Sequence, residues 1–225
     1  MIKRTLTIVT ANLGRGASVR EFTHNARRLK RDVPGKHRFF GFQEVDEADA
    51  PEEFDILKRI FGNTHRFAGV DTSVPIAVPK TFEIAREQTT FASPGVARLS
   101  PHRELVQAVV HPDGKPEAKI VATNIHLGRN IPELKEEREQ ARITVKERLD
   151  HWRDNGVPAW LTADLNSERY GKLSTNEKRW VSARLDYIRG YPSGGVKMKL
   201  LKKGVVNLTI DGHDAQWARV LVTWP

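Results

Sequence analysis

The chain has 225 residues, of which 39% are hydrophobic and 29% are charged, and its formal net charge is +9. This much apolar material suits a packed core and argues against wholesale disorder. The absence of cysteine excludes disulfides, thiolate metal sites and a cysteine nucleophile, so any metal must be held by oxygen or nitrogen.

The length allows one substantial domain or two small ones, and we favour a single domain over residues 1–225. No run approaches the roughly 20 apolar residues of a membrane span. The amino-terminal segment has only a short apolar stretch and no convincing signal-peptide cleavage site. We therefore expect a cytoplasmic protein that is a monomer and has no membrane partner.

Positive charge is concentrated in two segments of the chain. Residues 1–40 contain ten Lys or Arg against two acidic residues, and residues 197–203 add four Lys. Such clusters favour phosphate-bearing polymers through counterion release and electrostatic steering. Basic faces are also common on proteins that bind nothing anionic, so charge alone leaves both interpretations open.

The first part of the chain alternates strands and helices. Apolar residues predict a strand over residues 2–13, with Asn12 near its carboxyl end. Apolar residues spaced by three and four predict a helix from Ser18 to Val33. A strand over His37–Phe42 follows and leads into the polar pair Gln43-Glu44.

The middle of the chain begins with a helix predicted over roughly Pro51 to Phe61, and several strands follow. Two of these, Arg103–His111 and Lys119–His126, are separated by a turn sequence and predict a hairpin. A long helix is predicted from about Ile131 to Asn155, where Gly156 ends it.

The last third is predicted to be mostly strands. They cover Val157–Leu165, Leu185–Arg189, Val205–Ile210 and Trp217–Val222. Hairpins with a few intercalated helices favour a mostly antiparallel α/β sandwich over a strictly alternating parallel barrel.

Polar residues follow the predicted strands, and the ends of strands can direct distant acids, amides and histidines into one crevice. Glu44 follows HRFFGF, and a carboxylate at the mouth of a buried strand is costly unless it is solvated, paired or holding a cation. Since further acidic residues follow directly, a solvated loop acid is the alternative.

Asp164 and Asn166 lie two residues apart at the end of a strand, so their side chains project from the same face. The aspartate can orient or deprotonate a water while the amide fixes substrate or metal. An Asx-type turn is the alternative, and the following Ser167 would suit it.

Two histidines are candidates for transition-state chemistry. The pKa range of histidine suits His126 to donate a hydrogen bond or a proton to a phosphoryl oxygen, although an isolated histidine is more often structural. His213 would become an effective base or donor if a carboxylate fixed its tautomer, and Asp186 on an apolar strand is a candidate partner.

The chain resembles the endonuclease/exonuclease/phosphatase superfamily, the DNase I-like phosphoesterases, in six short motifs that occur in the right order. They are TANLG, FQE, TNIHLG, TADLN, LDYI and GHD. The resemblance implies a four-layer α/β/β/α sandwich of two mostly antiparallel sheets with the helices outside. It also implies a phosphoesterase site that uses Mg²⁺, or Mn²⁺, at one edge of the sheets.

Site roles follow from the same resemblance. Asn12 and Glu44 are the implied metal ligands, with Glu44 as the principal one. His126 would contact the phosphate, and Asp164 would activate the attacking water beside Asn166. The remaining implied residues are Asp186, which would orient His213 to stabilise the phosphorane, and the substrate-binding residues Asn124, Arg129 and Arg138.

One motif departs from the family pattern. The family usually has Ser-Asp-His where this chain has Asp211-Gly212-His213, so a glycine replaces the acid before the histidine. Asp211 is the candidate to replace that acid as a metal ligand, and Asp214 is the alternative.

The favoured function is a metal-dependent phosphodiesterase that hydrolyses nucleic acid, DNA rather than RNA. A phosphoesterase for a small or lipid phosphoester would use the same chemistry, because substrate choice lies in loops. An inactive nucleic-acid-binding relative is the third hypothesis, and Gly212 motivates it.

Overall fold

The computed structural model describes residues 1–14, 17–46, 52–168, 170–210 and 213–225. The strands are β1 (Ile2–Asn12), β2 (His37–Gln43), β3 (His65–Ala68), β4 (Ile76–Pro79), β5 (Phe82–Ser93), β6 (Arg103–Pro112), β7 (Ile120–His126), β8 (Ala159–Asp164), β9 (Lys178–Ala183), β10 (Asp186–Tyr191), β11 (Lys197–Val206) and β12 (Ala215–Trp224). The helices are α1 (Val19–Asp32), α2 (Glu52–Phe61) and α3 (Lys135–Asp154), and a 3-10 turn over Pro132–Leu134 precedes α3.

The strands form two six-stranded sheets. Sheet A has the order β11-β12-β1-β2-β4-β3, and sheet B has the order β5-β6-β7-β8-β10-β9. Each sheet has one central parallel pair, β1 with β2 and β7 with β8. The other pairings between described strands are antiparallel, which confirms the predicted mostly antiparallel α/β sandwich.

Three apolar layers hold the sandwich together. The inner faces of the two sheets meet in one core cluster, where Leu6 and Ile8 of β1 lie with Val106 of β6. Helices α1 and α2 cover the outer face of sheet A, and α3 covers that of sheet B. The four layers therefore follow the order helix, sheet, sheet, helix. Each sheet is buried on both faces over much of its area.

Helix α1 begins where the sequence predicts, because a capping box lies at its amino-terminal end. Ser18 caps α1 with a reciprocal capping box, because its Oγ accepts from the backbone N of Glu21 while Glu21 Oε2 accepts from the Ser18 backbone N at 2.9 Å. Among the described helices, none combines the length and the apolar character that crossing a membrane requires.

The prediction of a strand over Val205–Ile210 is wrong. Strand β11 instead covers Lys197–Val206, and residues 207–210 form an irregular connection. In this edge strand the buried Met198 alternates with exposed lysines, so the strand has few apolar residues. Residues 205–210 are more apolar, and their sequence therefore wrongly indicated a strand. Strand β9 was not predicted, because only two of its six residues, Trp180 and Val181, are buried.

Candidate active site

The carboxyl ends of the two parallel strand pairs meet at one edge of the sandwich. The register places Asn12 beside Gln43 in sheet A and His126 beside Asp164 in sheet B. A direct hydrogen bond joins the two sheets here, because Asn12 Nδ2 donates to Asp164 Oδ2 at 3.0 Å. Residues from the four strand ends therefore converge, as their positions in the sequence predicted.

Asp164 is the centre of the cluster. It is fully buried, and its Oδ2 lies 3.7 Å from both His126 Nε2 and His213 Nδ1. Its Oδ1 accepts from the backbone N of Asn166 at 2.8 Å. This Asx-type turn holds Asn166 in the left-handed region at φ +46°. The two interpretations of the sequence are therefore compatible, because the residues that form the turn also lie in the polar cluster.

His126 is surrounded by polar groups from both sheets. Its Nε2 lies 3.6 Å from Glu44 Oε1 and 3.0 Å from Asn166 Nδ2. On the other side of the ring, Arg103 Nη1 lies 3.2 Å from Nδ1. A guanidinium nitrogen and an amide nitrogen both only donate, so each ring nitrogen of His126 lies beside a donor, while the Glu44 and Asp164 carboxylates lie further from Nε2.

Arg103 is a site residue that sequence reasoning missed. It is 7% exposed, and it also donates from Nη2 to Ser100 Oγ at 3.0 Å and pairs with Glu137 at 3.6 Å. The signal in the sequence was weak, because a charged residue at the start of an apolar strand usually faces solvent.

Glu44 lies at the mouth of the cluster on strained backbone. Its φ is +59°, an uncommon conformation for a residue with a Cβ, and its side chain is 17% exposed. Non-glycine residues held in this region cost of the order of 1–3 kcal/mol and are concentrated at functional sites. The backbone thus directs the Glu44 carboxylate towards His126.

Asp186 and His213 form the second half of the cluster. Asp186 Oδ2 lies 3.5 Å from His213 Nδ1, and ligand atoms of Asp164, Asp186 and His213 all lie within 4.8 Å of one another. Burial, against the opposing effect of the hydrogen bond with His213, and the negative charge of Asp164 together raise the pKa of Asp186 to about 6. Hydrogen bonding to Asp186 raises the pKa of His213 in return.

A polar cavity of about 380 Å³ opens over these residues. Glu44, His126, Asn166 and His213 line it, and the exposed Arg129 lies at its rim. The substrate-binding role of Arg129 stays a prediction.

Two other predicted substrate-binding residues lie behind the cavity. Asn124 is fully buried, and its Nδ2 donates to the carbonyl oxygens of Phe42 at 2.6 Å and Val74 at 3.0 Å. Arg138 is 9% exposed and donates to the carbonyl oxygens of Gly128 and Leu165. These contacts favour positioning roles over contact with substrate.

The predicted metal ligand Asp211 lies outside the described residues. The role of Asp211 and the effect of the glycine at position 212 stay predictions.

The donor set suits a hard divalent cation. Glu44, Asp164, Asp186 and Asn12 offer carboxylate and amide oxygens, which Mg²⁺ and Mn²⁺ prefer. Asp186 Oδ1 is buried without a hydrogen-bond partner among the described residues. A cation nearby would compensate that carboxylate, so the residues present fit a metal.

Comparison with solved structures identifies the fold. The chain is similar to an endonuclease/exonuclease/phosphatase family protein from Bacteroides thetaiotaomicron, with a TM-score of 0.76, 14% identity and 100% of each chain covered. It is similar to D. rerio TDP2 complexed with single strand DNA product, with a TM-score of 0.72, 14% identity, and coverage of 97% of this chain and 99% of that chain.

A third similar structure is the B. thetaiotaomicron mannosyl-6-phosphatase Bt3783, with a TM-score of 0.67, 14% identity, and coverage of 97% of this chain and 98% of that chain. No protein-family model matches the sequence, and neither does any curated protein. The chain therefore has the DNase I-like fold of the endonuclease/exonuclease/phosphatase proteins, which confirms the fold that the motifs predicted.

Proposed function

We propose that the protein is a divalent-metal-dependent phosphodiesterase that hydrolyses nucleic acid. The observation that carries this proposal is the meeting of Glu44 and Asn12 from sheet A with His126, Asp164 and Asp186 from sheet B beneath one polar cavity. Carboxylates, an amide and histidines in reach of one another are the groups that phosphodiester hydrolysis requires.

Each residue has a role that its contacts support. Glu44 and Asn12 would hold the Mg²⁺, which supplies neutralisation of the charge on the scissile phosphate. Asp164 would orient and deprotonate the attacking water, with Asn166 fixed beside it. His126 has its Nε2 on the side of Glu44 and Asp164, so Nε2 is the ring nitrogen that would face a phosphoryl oxygen.

His213 would stabilise the developing charge on the phosphorane. Its Nδ1 faces Asp186 and Asp164, which leaves Nε2 as the nitrogen available to substrate. The two carboxylates favour the protonated imidazole, because they raise the pKa of His213. A protonated histidine can donate to an oxygen that gains negative charge.

A nucleic-acid substrate is supported by charge and by one of the similar structures. The net charge of +9 favours a polyanion. The TDP2 structure contains a single strand DNA product, so we place DNA ahead of RNA.

Cleavage of plasmid and single-stranded oligonucleotides tests the proposal. We expect hydrolysis with Mg²⁺ or Mn²⁺, none with EDTA, and a loss of at least about 100-fold in Glu44→Gln, comparable to removal of a key transition-state contact. Glu87→Gln on the exposed part of β5 is the matched control and should keep full activity. Metal-independent cleavage, or full activity in Glu44→Gln, would contradict the proposal.

A phosphoesterase for small molecules is the second candidate, because the mannosyl-6-phosphatase has the same fold. Release of phosphate from sugar phosphates, measured on the same preparation, separates the two functions. Turnover of a sugar phosphate with a higher kcat/KM than any oligonucleotide would favour this candidate.

A further inference from the structure

The outer face of sheet A bears a group of basic residues that do not line the cavity. We call it the basic sheet face and define it as Lys3 of β1, Lys197, Lys199 and Lys202 of β11, and Arg219 of β12; all five residues are exposed. The register shows that they share one surface, because Lys202 lies opposite Arg219, and both Lys197 and Lys3 lie opposite Thr223.

These charges have no acidic neighbours within the sheet. The four adjacent strands β11, β12, β1 and β2 together contain eight Lys or Arg and no Asp or Glu. The strands of sheet B, in contrast, mix both signs, as β5 does with Glu83, Arg86 and Glu87. None of the five residues forms an ion pair with another residue in the part of the chain that the structure describes.

Directly opposed like charges destabilise a sheet. Lys202 and Arg219 form such a pair, and no acid offsets their repulsion. A polyanion bound across the strands would remove this cost and release its own counterions.

The edge strand β11 leads from this face to the cavity. Strands β11 and β1 are both antiparallel to β12, so the Val206 end of β11 lies at the same edge of the sheet as Asn12. The chain then continues to His213, which lines the cavity. From Lys197 to Val206 the strand spans about 30 Å at about 3.3 Å per residue.

We infer that the basic sheet face is a second binding surface for nucleic acid, which contacts the substrate outside the cavity where the phosphodiester is cleaved. This inference rests on the proposed function and specifies its substrate: a polynucleotide of about ten or more nucleotides, since about 30 Å corresponds to about nine steps of 3.4 Å. An anionic lipid surface has the same charge. Lipid binding, however, favours aromatic anchors, whereas Thr5 and Thr223 lie between the basic residues.

The test is a charge-matched pair of variants. The face variant replaces Lys197, Lys199, Lys202 and Arg219 by Gln. The control variant replaces Lys80, Arg86, Lys115 and Lys119 by Gln; these residues are also exposed and lie outside the face and the cavity lining. Both variants lose four positive charges, so a difference between them reports position and not net charge.

Binding of a labelled 25-nucleotide DNA is measured in EDTA by fluorescence anisotropy over a range of salt concentrations. We expect the face variant to bind at least about 10-fold more weakly than the control variant at low salt. The slope of log K against log salt should become shallower by about three, because each lost phosphate contact removes about 0.7 to 0.9.

Hydrolysis provides the second measurement. The face variant should raise KM for the 25-nucleotide DNA and leave its kcat unchanged, while a dinucleotide is cut as by wild type. Equal binding by the face and control variants would overturn the inference. Binding of the wild-type face to phosphatidylserine vesicles but not to DNA would also overturn it.

The two proposals fail in different ways. If wild type cleaves no phosphodiester, the proposed function fails, while the binding result in EDTA stands by itself. If wild type cleaves DNA but the face variant matches the control variant, only the inference about the basic sheet face fails.

Discussion

Asp186 carries a buried carboxylate whose charge the protein alone compensates poorly. Burial raises its pKa from 3.8 to about 6. The unfolded chain therefore releases this proton at lower pH than the folded protein does. Stability is lost as the pH rises from about 3.8 to about 6, by up to about 3 kcal/mol in total. His213 acts in the same direction, because its raised pKa gives stability below about pH 6.5 that is lost at higher pH.

We expect Asp186→Asn to stabilise the metal-free protein at pH 7, because an amide keeps the shape and removes the buried charge. The gain should shrink as the pH falls through about 6 and be small near pH 4, where the carboxyl group of Asp186 is protonated in the folded protein and about half protonated in the unfolded chain. Urea unfolding in EDTA at pH 4, 5, 6 and 7 measures the difference between variant and wild type. A difference that does not change with pH would disprove this account of Asp186.

At the residue scale, the sequence predicted most members of the cluster but not how deeply each of them is buried. Asn12, Glu44 and His126 lie together as expected, because each directly ends or follows a strand whose direction the pattern indicated. Asn124 lies on the same face of β7 as His126, but it is two residues further from the end of the strand and is therefore fully buried between the sheets. Arg103 reaches the cluster through the packing of β6 beside β7, which no local pattern shows.

At the scale of elements, strands β2 and β8 come closest where Gly41 faces Thr162. A Cβ built at Gly41 would lie 2.0 Å from Thr162 Oγ1 and 2.7 Å from Asn124 Oδ1. Thr162 cannot move away freely, because its Oγ1 donates to the Thr123 carbonyl oxygen at 3.1 Å. The two sheets therefore require glycine at this position.

We expect Gly41→Ala to lower the free energy of unfolding by about 1–3 kcal/mol or more, since overpacking in a tight core displaces its neighbours. For a chain of this size, each kcal/mol corresponds to a fall of about 2–4 °C in Tm. Calorimetry or thermal circular dichroism measures the change. Gly171→Ala is the control, because an added Cβ there meets no atom within 4 Å. Equal Tm values for the two variants would contradict the close approach.

Secondary structure was predictable where a pattern was strong and local. Helix α1 lies within one residue of its predicted ends, because the amphipathic spacing and the Ser18 cap coincide. Strand β11 was misplaced because an edge strand needs apolar residues on one face only, so its lysines resembled a solvated loop. The pairing order of the strands depends on contacts between distant segments, which periodicity cannot give.

At the scale of the whole molecule, metal binding should couple to stability. A cation that binds only the folded protein adds about 2.7 kcal/mol when its concentration is about 100 times its Kd. We expect Mg²⁺ to raise the Tm of wild type by roughly 5–10 °C at pH 7. Glu44→Gln should lose most of this shift, while Glu87→Gln should keep it. An equal shift in all three proteins, measured by thermal unfolding, would indicate that Mg²⁺ acts elsewhere.

The hydrogen bond between Asn12 and Asp164 joins residues 152 positions apart, and β1 pairs with the carboxyl-terminal strand β12. A growing chain on the ribosome has made Asn12 and Glu44 long before Asp164, Asp186 and His213 leave the exit tunnel. The proposed hydrolase would therefore gain its activity only after β12 has been synthesised and has inserted between β11 and β1.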